Sequence, residues 1–337
     1  MKIDTNKTRE GGFTIVELLT VMGIIAILIG LLVPALSMVK DYAKQVQQAA
    51  QFHSIEVGLD LYKAEFGSYP PSNDNAQLPK HTKDATPYTG ANKLAESMVG
   101  LDFLGFHPNS DYRATGQADI VDRQGVLRPN IQIYNARQGI PIGTPVYQTP
   151  DENVKCRGGK FGASFVELEN ANAFRMDDVY APGQIGKFLP GSMLLCDVYA
   201  KKRNTPSAQK TGMPILYFRA RTQYTEQDST TIRPGIPQYY NPQPGIDDDI
   251  YYYPDNLNLL LLQTAEVNPQ DHPLAMNAGS ALDVEAFENM IINRQVTRDP
   301  TIDIKRPYRA QSYILISAGK DGLYGTSDDI TNFSKKE

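Results

Sequence analysis

GGFTIVELLTVMGIIAILIGLLVPAL, residues 11–36, is a glycine pair followed by a long apolar run that carries one acid, Glu17. A soluble core helix has no use for that pattern. A carboxylate in a membrane-length segment costs about 2.5–3.5 kcal/mol near the bilayer centre and less toward the interface, so it marks a function and calls for a partner. Cutting the chain between Gly12 and Phe13 supplies one, because Phe13 then carries a cationic α-amino group. Glu17 lies one helical turn further on, within reach of the amine of a neighbouring subunit as helices bundle. The run from 18 to 33, extended by 13–16 and 35–39, is close to the ~20 residues that a membrane span requires.

Residues 1–10 are polar, with Lys2, Lys7 and Arg9 against Asp4 and Glu10. Positive charge stays cytoplasmic, which sends the C-terminal bulk across the membrane. An ordinary signal peptide is cut after its apolar region, at small residues. Residues 35–37 mimic such a site only weakly, and Glu17 is then unexplained. Gly12, Phe13, Thr14, Glu17 and the apolar stretch after them resemble the class III signal of type IV pilins and type II secretion pseudopilins. The resemblance implies that a prepilin peptidase cuts after Gly12 and N-methylates Phe13. It divides the chain into a leader (1–12), the transmembrane half of an N-terminal helix (13–39), its amphipathic half (40–69) and an extracytoplasmic head (70–337).

Past the apolar run, Ala35, Val39, Tyr42, Val46, Ala49, His53, Val57 and Leu61 recur in steps of four and three, which predicts one apolar stripe on a continuing helix. Lys40, Asp41, Lys44, Gln45, Gln48 and Glu56 take the other face. Pro34 is expected to kink or locally melt the helix. A helix over 13–66 is about 80 Å long at 1.5 Å per residue, and Gly67 with Tyr69-Pro70-Pro71 ends it.

The net charge of −5 and the scattered basic residues speak against nucleic acid as the main partner, since phosphate neutralisation needs clustered Lys and Arg. Lys201-Lys202-Arg203 reads as a solvated turn. The 26 glycines, 23 prolines and absence of tryptophan predict short elements joined by many turns. Outside the cytoplasm Cys156 and Cys196 are permitted to pair, a bridge worth roughly 4 kcal/mol in the chain-entropy model; two separate thiols are the alternative.

Along the head, 73–92 reads as a surface loop, 93–106 as a helix, and 111–162 as mostly irregular. A strand and a helical turn are expected in 164–180, strands at 192–199 and 213–220, and a short helix at 282–293. The tyrosine- and aspartate-rich tract 238–254 reads as a solvated loop. Helix, insertion, strands and a C-terminal strand make an α+β fold: a long N-terminal helix on a small antiparallel sheet, with a large insertion at about 73–300.

At the C-terminus, SYILIS (312–317) predicts a strong strand, followed by a loop bearing Asp321, Asp328 and Asp329. Gly319, Gly322 and Gly325 permit the positive φ that a tight wrap needs. Three carboxylates on one loop repel unless a cation sits among them, and calcium accepts six to eight oxygens in flexible geometry. The spacing is not that of an EF-hand. The loop, 317–333, is similar to the calcium-binding loop of the type II secretion major pseudopilin, which implies Asp321, Asp328 and Asp329 as side-chain ligands and backbone oxygens near Ala318 and Thr326.

His53, His81, His107 and His272 are scattered, and G-x-S-x-G, P-loop and G-x-G-x-x-G motifs are absent, so no enzyme is expected. The resemblance implies a structural subunit held in the inner membrane with its head in the periplasm. Its partners are then copies of itself, other pseudopilins, the prepilin peptidase and an inner-membrane assembly platform, with calcium as structural cofactor. Two other readings share the N-terminus: a type IV pilin or minor tip pilin for adhesion, motility or DNA uptake, and a membrane-anchored binding module.

Overall fold

The computed structural model describes residues 14–74, 86–121, 125–134, 164–223, 249–264, 268, 271–275, 281–295 and 305–333. They fall in two units, Met1–Gln47 and Gln48–Glu337. The helix α1, Ile15–Phe66, supplies all of the first unit's described helix and begins the second. In the first unit its large apolar side chains, from Ile15 to Val46, are exposed. It is the one helix among the described residues long and apolar enough to cross a membrane. α1 runs without a break through Pro34. The proline deprives one carbonyl, that of Gly30, of its donor, and the local melting expected there does not occur.

In the second unit α1 buries Gln48, Gln51, Phe52, Ile55, Gly58, Leu59 and Tyr62. This is not the stripe that the apolar spacing predicts. Val57 of that stripe is 45% exposed and His53 and Ala49 are exposed too, while Leu61 is half-buried. The buried row Phe52, Ile55, Leu59 and Tyr62 is bulkier than the predicted one, and two glutamines join it. Gln51 Nε2 donates to the carbonyls of Ala171 (3.1 Å) and Cys196 (2.8 Å), and Gln48 Oε1 accepts the Val198 N–H (2.9 Å). These bonds satisfy backbone groups that burial would otherwise strand. Gly67, at φ +78°, closes the helix with its N–H on Lys63 O.

α2, Gly90–Val99, is wholly buried. The longer helix expected over 93–106 stops here because Gly100 turns to φ +75°, where a Cβ would lie 2.1 Å from Gly105 O. The stretch expected to be irregular holds an antiparallel hairpin of β1, Gln117–Val121, and β2, Leu127–Gln132. After α3, Leu168–Ala171, strand β3, Ala173–Arg175, pairs across α4, Met176–Val179, with β4, Met193–Leu195. Lys201–Lys202, expected as a solvated turn, is strand β5 pairing with β6, Lys210–Thr211, and Arg203 is buried. β7, Leu216–Arg219, pairs with β8, Tyr313–Ser317, which pairs with β9, Ile330–Thr331, all antiparallel. A 3-10 turn, Tyr253–Asn256, leads into α5, Leu257–Leu260, and α6 is Ala281–Ile291.

The small antiparallel sheets behind a long N-terminal helix are the expected α+β fold. β7 and β8 are apolar on both sides. Tyr217, Tyr313 and Leu315 join the cluster of Ile55, Leu59 and Tyr62 from α1. Leu216, Phe218, Ile314 and Ile316 join a second cluster with Tyr251, Tyr253, Phe287 and Ile291. Two expected surface loops are therefore interior where they are described. Asp249, Ile250, Tyr251 and Tyr253 are buried, as are Asp74, Tyr88 and Thr89, because they cover this sheet and cap α2. Their remainders, 75–85 and 238–248, lie outside the described residues.

Gln51→Ala takes the side-chain donor from the buried Ala171 carbonyl and leaves Cys196 O to the Asn172 amide alone (2.9 Å), at a cost of roughly 1–3 kcal/mol. The urea midpoint of the purified full-length chain, followed by tyrosine fluorescence, should fall accordingly. An unchanged midpoint would mean that water takes over from the amide.

Candidate functional site

Gly12 and Phe13 lie outside the described residues, so the first residue of the N-terminal site on view is Thr14. Thr14 and Glu17 form a reciprocal cap on α1. Glu17 N–H donates to Thr14 Oγ1 (3.2 Å), while Glu17 Oε2 accepts from the Thr14 N–H (3.0 Å) and hydroxyl (2.8 Å). This is a capping box, legible in the spacing Thr14-x-x-Glu17 but not used in reading the sequence. The acid therefore holds the Thr14 N–H at the start of its own helix, and both residues are exposed on this chain.

The C-terminal loop wraps as its glycines require. Gly319, Gly322 and Gly325 all have positive φ, and a Cβ on Gly319 would lie 2.4 Å from Asp328 O. Asp328 Oδ2 accepts the Asp321 N–H (2.9 Å) and its Oδ1 the Thr326 hydroxyl (2.5 Å). Asp321 Oδ1 accepts the Leu323 N–H (2.8 Å), and Asp329 Oδ2 the Gly325 N–H (2.7 Å). Burial, then the adjoining Asp328 carboxylate, raise Asp321. Burial also acts on Asp328, but the Thr326 hydroxyl and the N–H bonds outweigh it and hold that acid low. Asp329 is pushed up to about 7, chiefly by burial. Its Oδ1 is buried without a hydrogen-bond partner among the described residues.

The donors are all oxygen, as calcium prefers, and the orphaned Asp329 Oδ1 is a position that a cation would satisfy. In the arrangement found, however, the carboxylates point at backbone donors, and among the described residues no group of three or more His, Cys, Asp or Glu side chains gathers as a metal centre. Ligation requires them to turn from those donors. Lys201 Nζ reaches the Asp321 carbonyl (3.1 Å), so the basic strand β5 meets the loop.

Three buried polar groups of the head were not legible. Asp197 lies beneath the loop, accepting from Tyr199 N–H (3.0 Å), Met213 N–H (3.2 Å) and the Ser317 hydroxyl (3.1 Å). Burial nonetheless raises it to about 7. His272, from the insertion, accepts the Tyr324 N–H on Nδ1 (3.1 Å) and is driven down to about 4 by burial, which keeps it neutral for that role. Glu96 on α2 is enclosed by the hydroxyls of Tyr88 (2.5 Å), Tyr134 (2.9 Å) and Ser110. Cys196 is a buried thiol, raised well above its ordinary value by burial; Cys156, with which it is permitted to pair, lies outside the described residues.

Over 136 residues, 38% of its length, the chain is 30% identical to a type II secretion system core protein G of Klebsiella pneumoniae, spanning 94% of that protein. Over 81 residues (24%) it is 32% identical to the protein of the same name from Aeromonas hydrophila, of which it spans only 57%. A prepilin peptidase-dependent protein A of Clostridium perfringens is 31% identical over 104 residues, which are 28% of this chain and 71% of that one. No family model matches the chain, and no solved structure does.

Asp197 titrates near 7 in the fold against about 3.9 unfolded, so its neutral form is favoured by folding. Its contribution to stability is complete below about pH 4 and is lost as pH rises toward 7. Asp197→Asn keeps the neutral shape. In metal-free buffer the variant should match the wild type at pH 4 and exceed it in urea midpoint at pH 8; equal midpoints at both would show that Asp197 is ionised without penalty.

Proposed function

The chain belongs to the type II secretion system core protein G family, and from that premise we propose that it is a structural subunit of a secretion pseudopilus. In this reading it is stored in the inner membrane as a single-pass protein with its head in the periplasm. A prepilin peptidase removes residues 1–12 and methylates Phe13, and an inner-membrane platform draws the subunit into a helical filament with copies of itself and other pseudopilins. The observation that carries the reading is α1, with a membrane-length apolar surface exposed and a single acid, Glu17, in its first turn. Within a filament that surface is covered by its equals. A buried carboxylate left unpaired is strongly destabilising, so Glu17 meeting the Phe13 amine of a neighbour sets the axial register. No catalytic role is proposed. A type IV pilin is the second reading, since one relative bears only the name of a prepilin peptidase-dependent protein.

Calcium belongs to the same proposal. Asp321, Asp328 and Asp329 hold it, with backbone oxygens at Ala318 and Thr326, and its charge supplies what three neighbouring carboxylates and the orphaned Asp329 oxygen lack. Bound there, it fixes the loop after β8 against the head.

Glu17→Ala should leave the detergent-solubilised chain as resistant to urea as the wild type yet lower the yield of sheared filament at least tenfold; normal yield would remove Glu17 from register-setting. For calcium, the melting temperature of the full-length chain should rise with the ion and not with Asp328→Ala present. At a hundredfold excess over Kd the gain is about 2.7 kcal/mol. No rise in the wild type reduces the loop to a turn.

A further inference from the structure

A lysine is almost never fully buried unless it is paired with an acid. Lys93, in the first turn of α2, is 2% exposed, yet its hydrogen bonds go to an asparagine. Nζ donates to the Asn73 carbonyl (2.6 Å) and to the side-chain oxygen of the same residue, Oδ1 (3.4 Å). Burial draws Lys93 down to about 8, against the pull of Asp255, Asp74 and Glu96. A share of the amine is therefore neutral at mildly alkaline pH, and desolvation of this kind makes a lysine a nucleophile.

Asn73 is held from both sides. Ser72 accepts the Arg219 N–H (3.0 Å) and donates its hydroxyl to Asp255 Oδ2. Asp74 accepts the Tyr88 N–H (2.9 Å) on one oxygen and the Asn258 amide (2.7 Å) on the other. Amine and carboxamide are thus kept together by the fold, the positioning that converts a slow bimolecular step into an intramolecular one. Asp255 adds an acid. It lines, with Ser72 and Asn73, a cleft of about 220 Å³, and its Oδ1 is without a hydrogen-bond partner among the described residues. Of the three acids it acts most strongly on Lys93. Burial raises it to about 6, where a carboxyl can both take up and return a proton near neutral pH.

We propose that Lys93 and Asn73 become joined by an isopeptide bond that the folded chain forms by itself, with Asp255 as the proton carrier. The lone pair of the neutral Nζ attacks Asn73 Cγ, so that the Nζ–Cγ bond forms and the Cγ–Nδ2 bond breaks. Asp255 takes the proton that Nζ sheds and delivers one to Nδ2, which leaves as ammonia. An amine and a primary amide give a secondary amide and ammonia, and nothing is oxidised or reduced. The bond ties the segment behind α1 to α2, apart from the residues that the subunit reading uses. In that reading a pull on α1 passes into the head through a covalent link.

The test reads the purified full-length chain by trypsin digestion and tandem mass spectrometry. Residues 64–80 and 84–113 are expected as one branched peptide, lighter than their sum by one ammonia, with the bond after Lys93 uncut. Lys93→Met removes the nucleophile. Asn73→Ala, at a half-buried position, removes the acceptor and reports independently should the first variant fold poorly. Both variants are expected to release the two segments separately, and Asp255→Asn to leave most of the chain unjoined. A wild-type chain of full mass, cut after Lys93, overturns the proposal. So does a loss of ammonia located elsewhere in the sequence, or a branched peptide that survives Asn73→Ala. Undiminished joining in Asp255→Asn overturns the part given to the acid.

Discussion

A strand whose five residues are all buried cannot lie at a surface, and β8 is such a strand. With β7 it forms a pair that is apolar on both faces, so the head needs a layer on each side. α1 provides one through Phe52, Ile55, Leu59 and Tyr62. The other is provided by segments far apart in the chain, around Tyr251, Tyr253, Phe287 and Ile291. The long region between the two family-like ends is thereby given a physical role, since much of its described part roofs the second face of the sheet. It also reaches the C-terminal loop. Leu274 N–H donates to Tyr324 O, and the Tyr324 hydroxyl to Pro214 O.

The choice of helix face shows how polar residues can decide packing. Steps of four and three from the apolar run pick out Ala49, His53, Val57 and Leu61, although Phe52, Ile55, Leu59 and Tyr62 form a bulkier apolar row. The chain instead turns α1 so that Gln48 and Gln51 enter the head and bond backbone groups of Ala171, Cys196 and Val198. The buried face carries the bulkier apolar side chains, Phe52, Ile55, Leu59 and Tyr62, and its two glutamines bond backbone groups of the head as well. Val57 is left at the surface as a consequence.

The two ends were legible for the same reason. A membrane-length apolar run and a five-residue apolar strand are strong periodic signals, and glycines at 319, 322 and 325 announce a tight loop whatever it binds. What failed was polarity used as a proxy for exposure. Arg203 beside two lysines, Asp249 beside two more aspartates, and Thr89 in a turn-rich stretch all read as solvated and are all buried. Each is placed by long-range packing that no local window contains. The hairpin of β1 and β2 was missed because LRPNIQ has a proline and little alternation. At the candidate sites Glu17, Asp321, Asp328 and Asp329 were found and their surroundings were not: the Thr14 cap on Glu17 and the buried Asp197 depend on which groups meet.

The Thr14 cap bears on how Glu17 can serve two roles. In the single chain its Oε2 already accepts two bonds from Thr14, and the amine of a neighbour in the proposed filament needs an acceptor there too. An ionised carboxylate has two oxygens and about four acceptor positions, however, and Thr14 occupies one oxygen only. Oε1 can take a cationic amine with the cap intact. The cap then holds the side chain along the helix start, so less rotamer entropy is lost when the pair forms. A glutamate three residues after a threonine is thus suited both to begin the helix and to present one charged oxygen in a fixed direction. Replacing Thr14 would leave the charge in place but free its direction, and that separates a geometric requirement at this position from a purely electrostatic one.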